Sequence, residues 1–276
     1  MTRTGAARRA AVLGKPIAHS LSPVIHNAGY AAAGLTGWSY TRIECAAAEL
    51  PAVVAGLGPE WAGLSVTMPG KEAALAVADA ASPVAVAVGA ANTLVRRDDG
   101  SWYADNTDVG GMVQVLTEAG VVSGATMTVL GAGGTARAAL AAAARLACPS
   151  VTVVARRAEA VDELRPVADA LDLALTGAGW SEAARLTDAD VVIATVPKGV
   201  ADPLAGTATW RPGGVYFDAL YDPWPTPLAD SAVGAGLRVV SGLDLLLAQA
   251  VGQFEQFTGV AAPVEAMREA LVAARR

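Results

Sequence analysis

Short runs of β-branched residues alternate along the chain with alanine-rich stretches, and this alternation predicts an α/β fold with largely parallel sheets. Ala10, Val12 and Leu13 open a first strand that ends at Gly14. Ser22-Pro23 then starts a helix, with serine as N-cap and proline at the first helical position. Strands are expected at 39–43, 64–67, 92–97 and 102–104, and helices at 47–57 and 71–80. Another helix runs from Asn106-Thr107-Asp108 to about residue 119.

From residue 126 the texture changes. A buried strand at 126–130, a glycine turn at 131–134, a helix over 135–145 and a strand at 151–154 form one βαβ unit. Further strands are expected at 191–194, 215–218 and 238–240, then a helix from Gly242 and a second one after Pro263. No internal repeat or low-complexity linker interrupts the pattern. The expected domain crossings lie near Thr107 and Gly242. The first domain is then discontinuous, 1–106 plus 243–276, and the second covers 107–242.

Composition narrows the function classes. With 53% apolar and 17% charged residues, the 276-residue chain is globular and long enough for a sizeable core. Twenty basic and 26 acidic residues give a net charge of −6, which disfavours non-specific nucleic-acid binding. An anion site must therefore be built from local donors. Cys45 and Cys148 read as reduced, buried thiols of a cytoplasmic protein. His19 and His26 are too few for a multi-histidine metal site, so no metal is expected. The apolar stretch after Arg3, Arg8 and Arg9 is cut by Gly14-Lys15-Pro16, too early for a secretion signal. Longer apolar runs are broken by Gly, Pro or Arg, so no membrane span is expected.

Gly131-Ala132-Gly133-Gly134-Thr135-Ala136 fits the G-x-G-x-x-A dinucleotide fingerprint between a strand and a helix. The first glycine permits the sharp turn, the second admits a pyrophosphate to the backbone, and Ala136 lets helix and sheet pack closely. The helix start offers unpaired N–H groups and the positive dipole end to the phosphates. The next strand ends Val154-Ala155-Arg156-Arg157, with no acid before Glu159. A carboxylate there would repel a 2′-phosphate, whereas guanidinium groups pair with it, so NADP is favoured over NAD.

Four polar clusters lie in the first domain: Ser20-Leu21-Ser22, Ser65 to Lys71, Gly89 to Thr93, and Asp105 to Asp108. Each alone has a plainer reading. Ser22 can cap a helix, Lys71 can be a solvated charge, and Asp108 can simply favour a helix N-terminus.

Together their order and spacing resemble the shikimate dehydrogenase family. The resemblance rests on GKPIAHSLSPVIHN at 14–27, VTMPGK at 66–71, GAANT at 89–93, NTD at 106–108 and GAGG at 131–134. It continues through DALYDPWPTPL at 218–228 and GLDLLLAQ at 242–249, and so covers almost the whole chain. It implies two α/β domains: an N-terminal substrate domain and a Rossmann-type, doubly wound dinucleotide-binding domain. The implied reaction is the NADPH-dependent reduction of 3-dehydroshikimate to shikimate in aromatic amino acid biosynthesis.

The resemblance also implies residue roles. Ser20 and Ser22 hold the substrate carboxylate with help from Tyr221. Ser65, Thr67, Asn92, Asp108 and Gln249 meet the ring hydroxyls. Lys71 and Asp108 form the catalytic pair, and which of them carries the proton stays open. Gly131, Ala132, Gly133, Gly134 and Thr135 hold the pyrophosphate, Arg156 and Arg157 the 2′-phosphate. Ala219 and Gly242 lie by the nicotinamide. Three departures stand out. Ser65 replaces the usual asparagine, Ala155-Arg156-Arg157 replaces the commoner Asn-Arg-Thr, and Leu245 replaces a methionine. The first leaves room for quinate or aminoshikimate as substrate. A non-catalytic NADP sensor is a remote alternative on the same fold. The expected partner is a small molecule, neither nucleic acid nor membrane, and the protein is expected to be a cytoplasmic monomer or homodimer.

Overall fold

The computed structural model describes residues 7–275; Arg3 of the basic N-terminal group lies outside them. The chain divides into two compact units. One runs to Thr107 and resumes at Gln249, and the other is Asp108–Ala248. The second boundary therefore falls inside a helix, later than the expected 242/243.

The first unit contains β1 (Arg8–Gly14), α1 (Ser22–Ala32), β2 (Trp38–Glu44), α2 (Leu50–Ala55), β3 (Trp61–Val66) and α3 (Lys71–Val77). It continues with β4 (Ala80–Ala81), α4 (Pro83–Val88), β5 (Thr93–Arg96) and β6 (Trp102–Asp105). Its six strands are ordered β2-β1-β3-β5-β6-β4. β5 runs antiparallel to both β3 and β6, so this sheet is mixed where a largely parallel one was expected. The reason is local: β5 returns through a short connection at Arg97–Ser101, closed by an Arg97-to-Ser101 backbone bond, and a parallel pair needs a longer crossover.

Two further differences concern helix ends. The helix expected at 71–80 stops at Val77, because Ala80–Ala81 pair with β6. Helix α1 begins at Ser22 itself with Leu21 at the N-cap, so Ser22 does not serve as the capping side chain. One face of the sheet buries Leu13, Leu50, Leu64, Leu94 and Trp102. Ile25, Tyr30, Phe254 and Met267 supply a second set of buried groups, with Tyr30 and Phe254 rings 5.4 Å apart.

The second unit holds α5 (Thr107–Glu118) apart from its first residue, then β7 (Met127–Leu130), α6 (Gly134–Arg145) and β8 (Ser150–Ala155). Short helices α7 (Ala158–Asp162) and α8 (Arg165–Ala170) lead to β9 (Ala174–Gly179) and α9 (Ala183–Leu186). Then come β10 (Val191–Ala194), β11 (Val215–Asp218), α10 (Pro227–Gly234) and β12 (Arg238–Ser241). The chain closes with α11 (Gly242–Thr258) and α12 (Val264–Ala273); α11 carries the second unit boundary, and α12 belongs to the first unit. The strand order is β12-β11-β10-β7-β8-β9, and every pairing is parallel. β7 and β10 are neighbours, and the order reverses there, which makes their carboxyl ends a topological switch point. The central strands β7, β10 and β11 are buried throughout, as a sheet covered on both faces requires, whereas the edge strand β9 has no buried residue.

Candidate active site

In the first unit, β1, β3 and β6 end, and antiparallel β5 begins, at one edge of the sheet. Backbone bonds stitch these ends together. The Val66 N–H donates to Asn92 O at 2.7 Å, Asn92 N–H to Asp105 O at 3.1 Å, and Ala91 N–H to Lys71 O at 2.9 Å. Ser65, Thr67, Lys71 and Asn92 are thereby gathered at one edge. Lys71 is the half-buried first residue of α3.

Asn92 is buried, and its Oδ1 is fully engaged. It accepts from the Thr93 hydroxyl at 2.8 Å, the Thr107 N–H at 2.8 Å and the Thr107 hydroxyl at 3.1 Å. The Thr107 bond satisfies one of the orphan N–H groups at the start of α5, immediately before Asp108. The Asn92 Nδ2 donates to Gln249 Oε1 at 3.4 Å. Ser65 is also buried and already bonded: it donates to Gln253 Oε1 at 2.6 Å and accepts from the Tyr40 hydroxyl at 2.5 Å. Its proton is therefore committed inside the unit, and a ligand hydroxyl can reach only its remaining lone pair.

Ser20 and Ser22 stand together before and at the start of α1, their hydroxyls 3.3 Å apart. The Arg42 guanidinium holds Ser20 by its carbonyl, at 2.6 and 3.0 Å. Tyr40 lies behind this site and donates its hydroxyl to Ser65 at 2.5 Å. Its phenol is pushed well above the ordinary tyrosine range by burial, so it stays neutral. His26 stacks on Tyr40, ring centres 4.2 Å apart and planes within 3°. Full burial lowers the His26 pKa to about 3, against a weaker opposing pull from Gln253, and neither ring nitrogen makes a hydrogen bond. His26 is thus a neutral packing ring.

In the second unit the expected cofactor groups all lie at the carboxyl ends of parallel strands. Gly131 follows β7 with φ +105°, and a Cβ there would meet Thr195 Oγ1 at 2.7 Å. Only glycine is tolerated without strain. Ala132 and Thr135 are half-buried, and Ala136 is fully buried against the sheet. Gly133 caps α6, and a Cβ on Gly133 or Gly134 would find no heavy atom within 4 Å. The helix start is therefore open to a phosphate, and the residues present fit a dinucleotide. Arg156 and Arg157 are exposed just beyond β8.

Ala219 and Tyr221 lie in the loop after β11, and Gly242 follows β12. Gly242 donates its N–H to Leu220 O at 3.1 Å, and a Cβ on it would strike the Ala219 carbonyl. Buried Asp218 braces this loop. It accepts from the Tyr216 and Thr226 hydroxyls, each at 2.8 Å, and from Leu220 N–H at 3.0 Å. The Tyr221 pKa is raised by burial and then by the Asp222 charge, so it is a neutral donor. Asp108, the second residue of α5, belongs to this unit.

Motif reading did not single out Tyr40, Gln253 or the bracing role of Asp218. Gln253 had a signal: it lies four residues after Gln249, on the same helical face, among Ala and Phe. Tyr40 had none, because a tyrosine in a strand is ordinary core. Among the described residues, no group of three or more His, Cys, Asp or Glu could hold a metal ion. No helix among them is long and apolar enough to cross a membrane.

Comparison with known proteins matches residues 12–94 to the shikimate dehydrogenase substrate binding domain. Residues 242–272 match the shikimate 5′-dehydrogenase C-terminal domain. A curated relative, shikimate dehydrogenase (NADP(+)) of Caulobacter vibrioides, is 41% identical over 94% of this chain and 92% of its own. The crystal structure of shikimate dehydrogenase of Mycobacterium tuberculosis is 50% identical, with TM-score 0.88 over 97% of this chain and 99% of its own. Shikimate 5-dehydrogenase of Thermus thermophilus, solved with NADP(H) and shikimate, is 30% identical, with TM-score 0.84 over 97% of this chain and 99% of its own.

Proposed function

The chain belongs to the shikimate dehydrogenase family, and on that premise we propose that it interconverts 3-dehydroshikimate and shikimate with NADPH and NADP+. The reaction belongs to the shikimate pathway, which leads through chorismate to the aromatic amino acids. One observation carries the reading. Lys71 shares a stitched sheet edge with Asn92, in a chain matched over 94% of its length by an NADP-dependent relative.

When bound, NADPH supplies the hydride. The Lys71 side chain bonds the ketone oxygen, stabilises its growing negative charge and delivers the proton. Asp108 orients that side chain and accepts from a ring hydroxyl. Ser20 and Ser22 donate to the substrate carboxylate, and the neutral Tyr221 phenol adds a third donor. Thr67, Asn92 and Gln249 bind ring hydroxyls, while Ser65 contributes only as an acceptor. Backbone N–H groups from Gly131 to Thr135 bind the pyrophosphate, and Arg156 and Arg157 bind the 2′-phosphate. Ala219 and Gly242 form the nicotinamide side. The free, buried thiols of Cys45 and Cys148 support a cytoplasmic setting, where the protein acts as a monomer or homodimer.

A spectrophotometric panel tests this reading by crossing shikimate, quinate and aminoshikimate with NADP+ and NAD+. The expected result is the highest kcat/KM with shikimate and NADP+. Preference for quinate with NAD+ reassigns the substrate, and binding without turnover makes the protein a sensor.

A further inference from the structure

Gln253 is 1% exposed and lies one helical turn beyond Gln249 on α11. Both ends of its amide are in use. Oε1 accepts the Ser65 hydroxyl at 2.6 Å, and Nε2 donates to Asn92 O and to Thr93 Oγ1, each at 3.1 Å. Turning the amide over would oppose acceptor to acceptor at Asn92 O, so its orientation is determined by its partners.

That orientation propagates in one direction. Tyr40 donates to Ser65, Ser65 to Gln253, Gln253 to Thr93, and Thr93 to Asn92 Oδ1. Asn92 then has only its amide N–H2 to offer outward, and part of that reaches Gln249 Oε1. Every step is buried, and in a low-dielectric interior a mispaired polar group is costly, so the chain holds one sense.

We propose that Gln253 is a positioning residue: through the Ser65–Gln253–Thr93–Asn92 chain it acts with the Thr107 N–H, which also donates to Asn92 Oδ1 at 2.8 Å, to hold the Asn92 amide N–H2 as a donor to a substrate ring hydroxyl. The inference rests on the functional reading above and deepens it. The Asn92 side chain meets the ligand, and Gln253 acts through it. The serine at position 65 is part of the device, since its short hydroxyl reaches Gln253 and Tyr40 at once.

A double-mutant cycle tests the proposal on the full-length enzyme. Gln253→Met keeps the length of the side chain and removes both hydrogen-bonding ends. It is expected to raise KM for shikimate about tenfold, the scale of one or two lost hydrogen bonds, while KM for NADP+ stays within about twofold. In an Asn92→Ala background the same change is expected to add less than about twofold, because its route to the ligand is gone. A tenfold effect in both backgrounds, or none in the wild type, overturns the proposal. Loss of NADP+ affinity alongside shikimate affinity marks a merely structural role and overturns it too. Thr93→Val cuts the same link with little change of shape. It must reproduce the phenotype, and it carries the test if Gln253→Met does not fold. The wild-type arm separates the two claims: no turnover of shikimate removes the functional reading and this inference together, whereas turnover with an additive cycle removes the inference alone.

Discussion

At the edge of the first sheet, Ser65, Gln253, Thr93 and Asn92 are bonded side chain to side chain, whereas at the edge of the second sheet Gly131, Gly133 and Gly134 present bare backbone. In the proposed function the two edges serve different ligand chemistries. A polyhydroxylated ring is recognised one hydroxyl at a time, so each donor or acceptor must have a fixed sense, and neighbouring side chains provide it. A pyrophosphate is a concentrated charge, and a helix start with open N–H groups satisfies it without any side chain. The first edge therefore needs partners drawn from distant parts of the chain, while the second needs a few residues in a row.

Substitutions at the two edges should separate these modes. The largest effect is expected for Lys71→Ala, which should lower kcat by about 10²–10⁴ while leaving NADP+ binding near normal. Steady-state kinetics with a cofactor-binding titration checks it, and a near-normal kcat takes Lys71 out of the chemistry. Next, Arg156→Ala with Arg157→Ala should raise KM for NADPH by about 10–100-fold, from two lost charge-assisted contacts, and barely change KM for NADH. Equal effects on both cofactors would show that these arginines do not read the 2′-phosphate.

A smaller loss is expected for Gly131→Ala. Its positive φ imposes roughly 1–3 kcal/mol of strain, beyond the encounter with Thr195, and should lower the melting temperature and NADP+ affinity with shikimate recognition intact. Calorimetry with separate titrations of the two ligands reads it. The effect that is smallest at neutral pH concerns stability in acid. His26 has a folded pKa of about 3 against an ordinary 6.5, so the unfolded state binds the extra proton between those values. Its contribution is complete above pH 6.5 and is lost as pH falls toward 3, by up to about 1.4 kcal/mol per pH unit. His26→Phe keeps a stacking ring and should flatten that acid limb in denaturant titrations; an unchanged slope would mean His26 is not neutral when buried.

The glycine turn and most of the strands were legible in the sequence because they depend on short-range rules. A β-branched run followed by Gly131-Ala132-Gly133-Gly134 specifies a strand, a turn and a helix start within a few residues. Short elements escaped. The strand Ala174–Gly179 and the helices Pro83–Val88, Ala158–Asp162 and Arg165–Ala170 are too brief to show a clear period. The antiparallel sense of Thr93–Arg96 was equally hidden, since pairing direction is a property of neighbours rather than of the run itself.

Motif order along the chain was enough to assign the family and the strand–glycine turn–helix unit, because these are local residue types at set spacings. The hydrogen-bond partners of Ser65 and the charge state of His26 came from folding alone. Ser65 and Gln253 are 188 positions apart, and His26 is neutral because residues from several elements remove it from water. Pairing and desolvation depend on atoms gathered from distant segments, and no window of the chain contains them together.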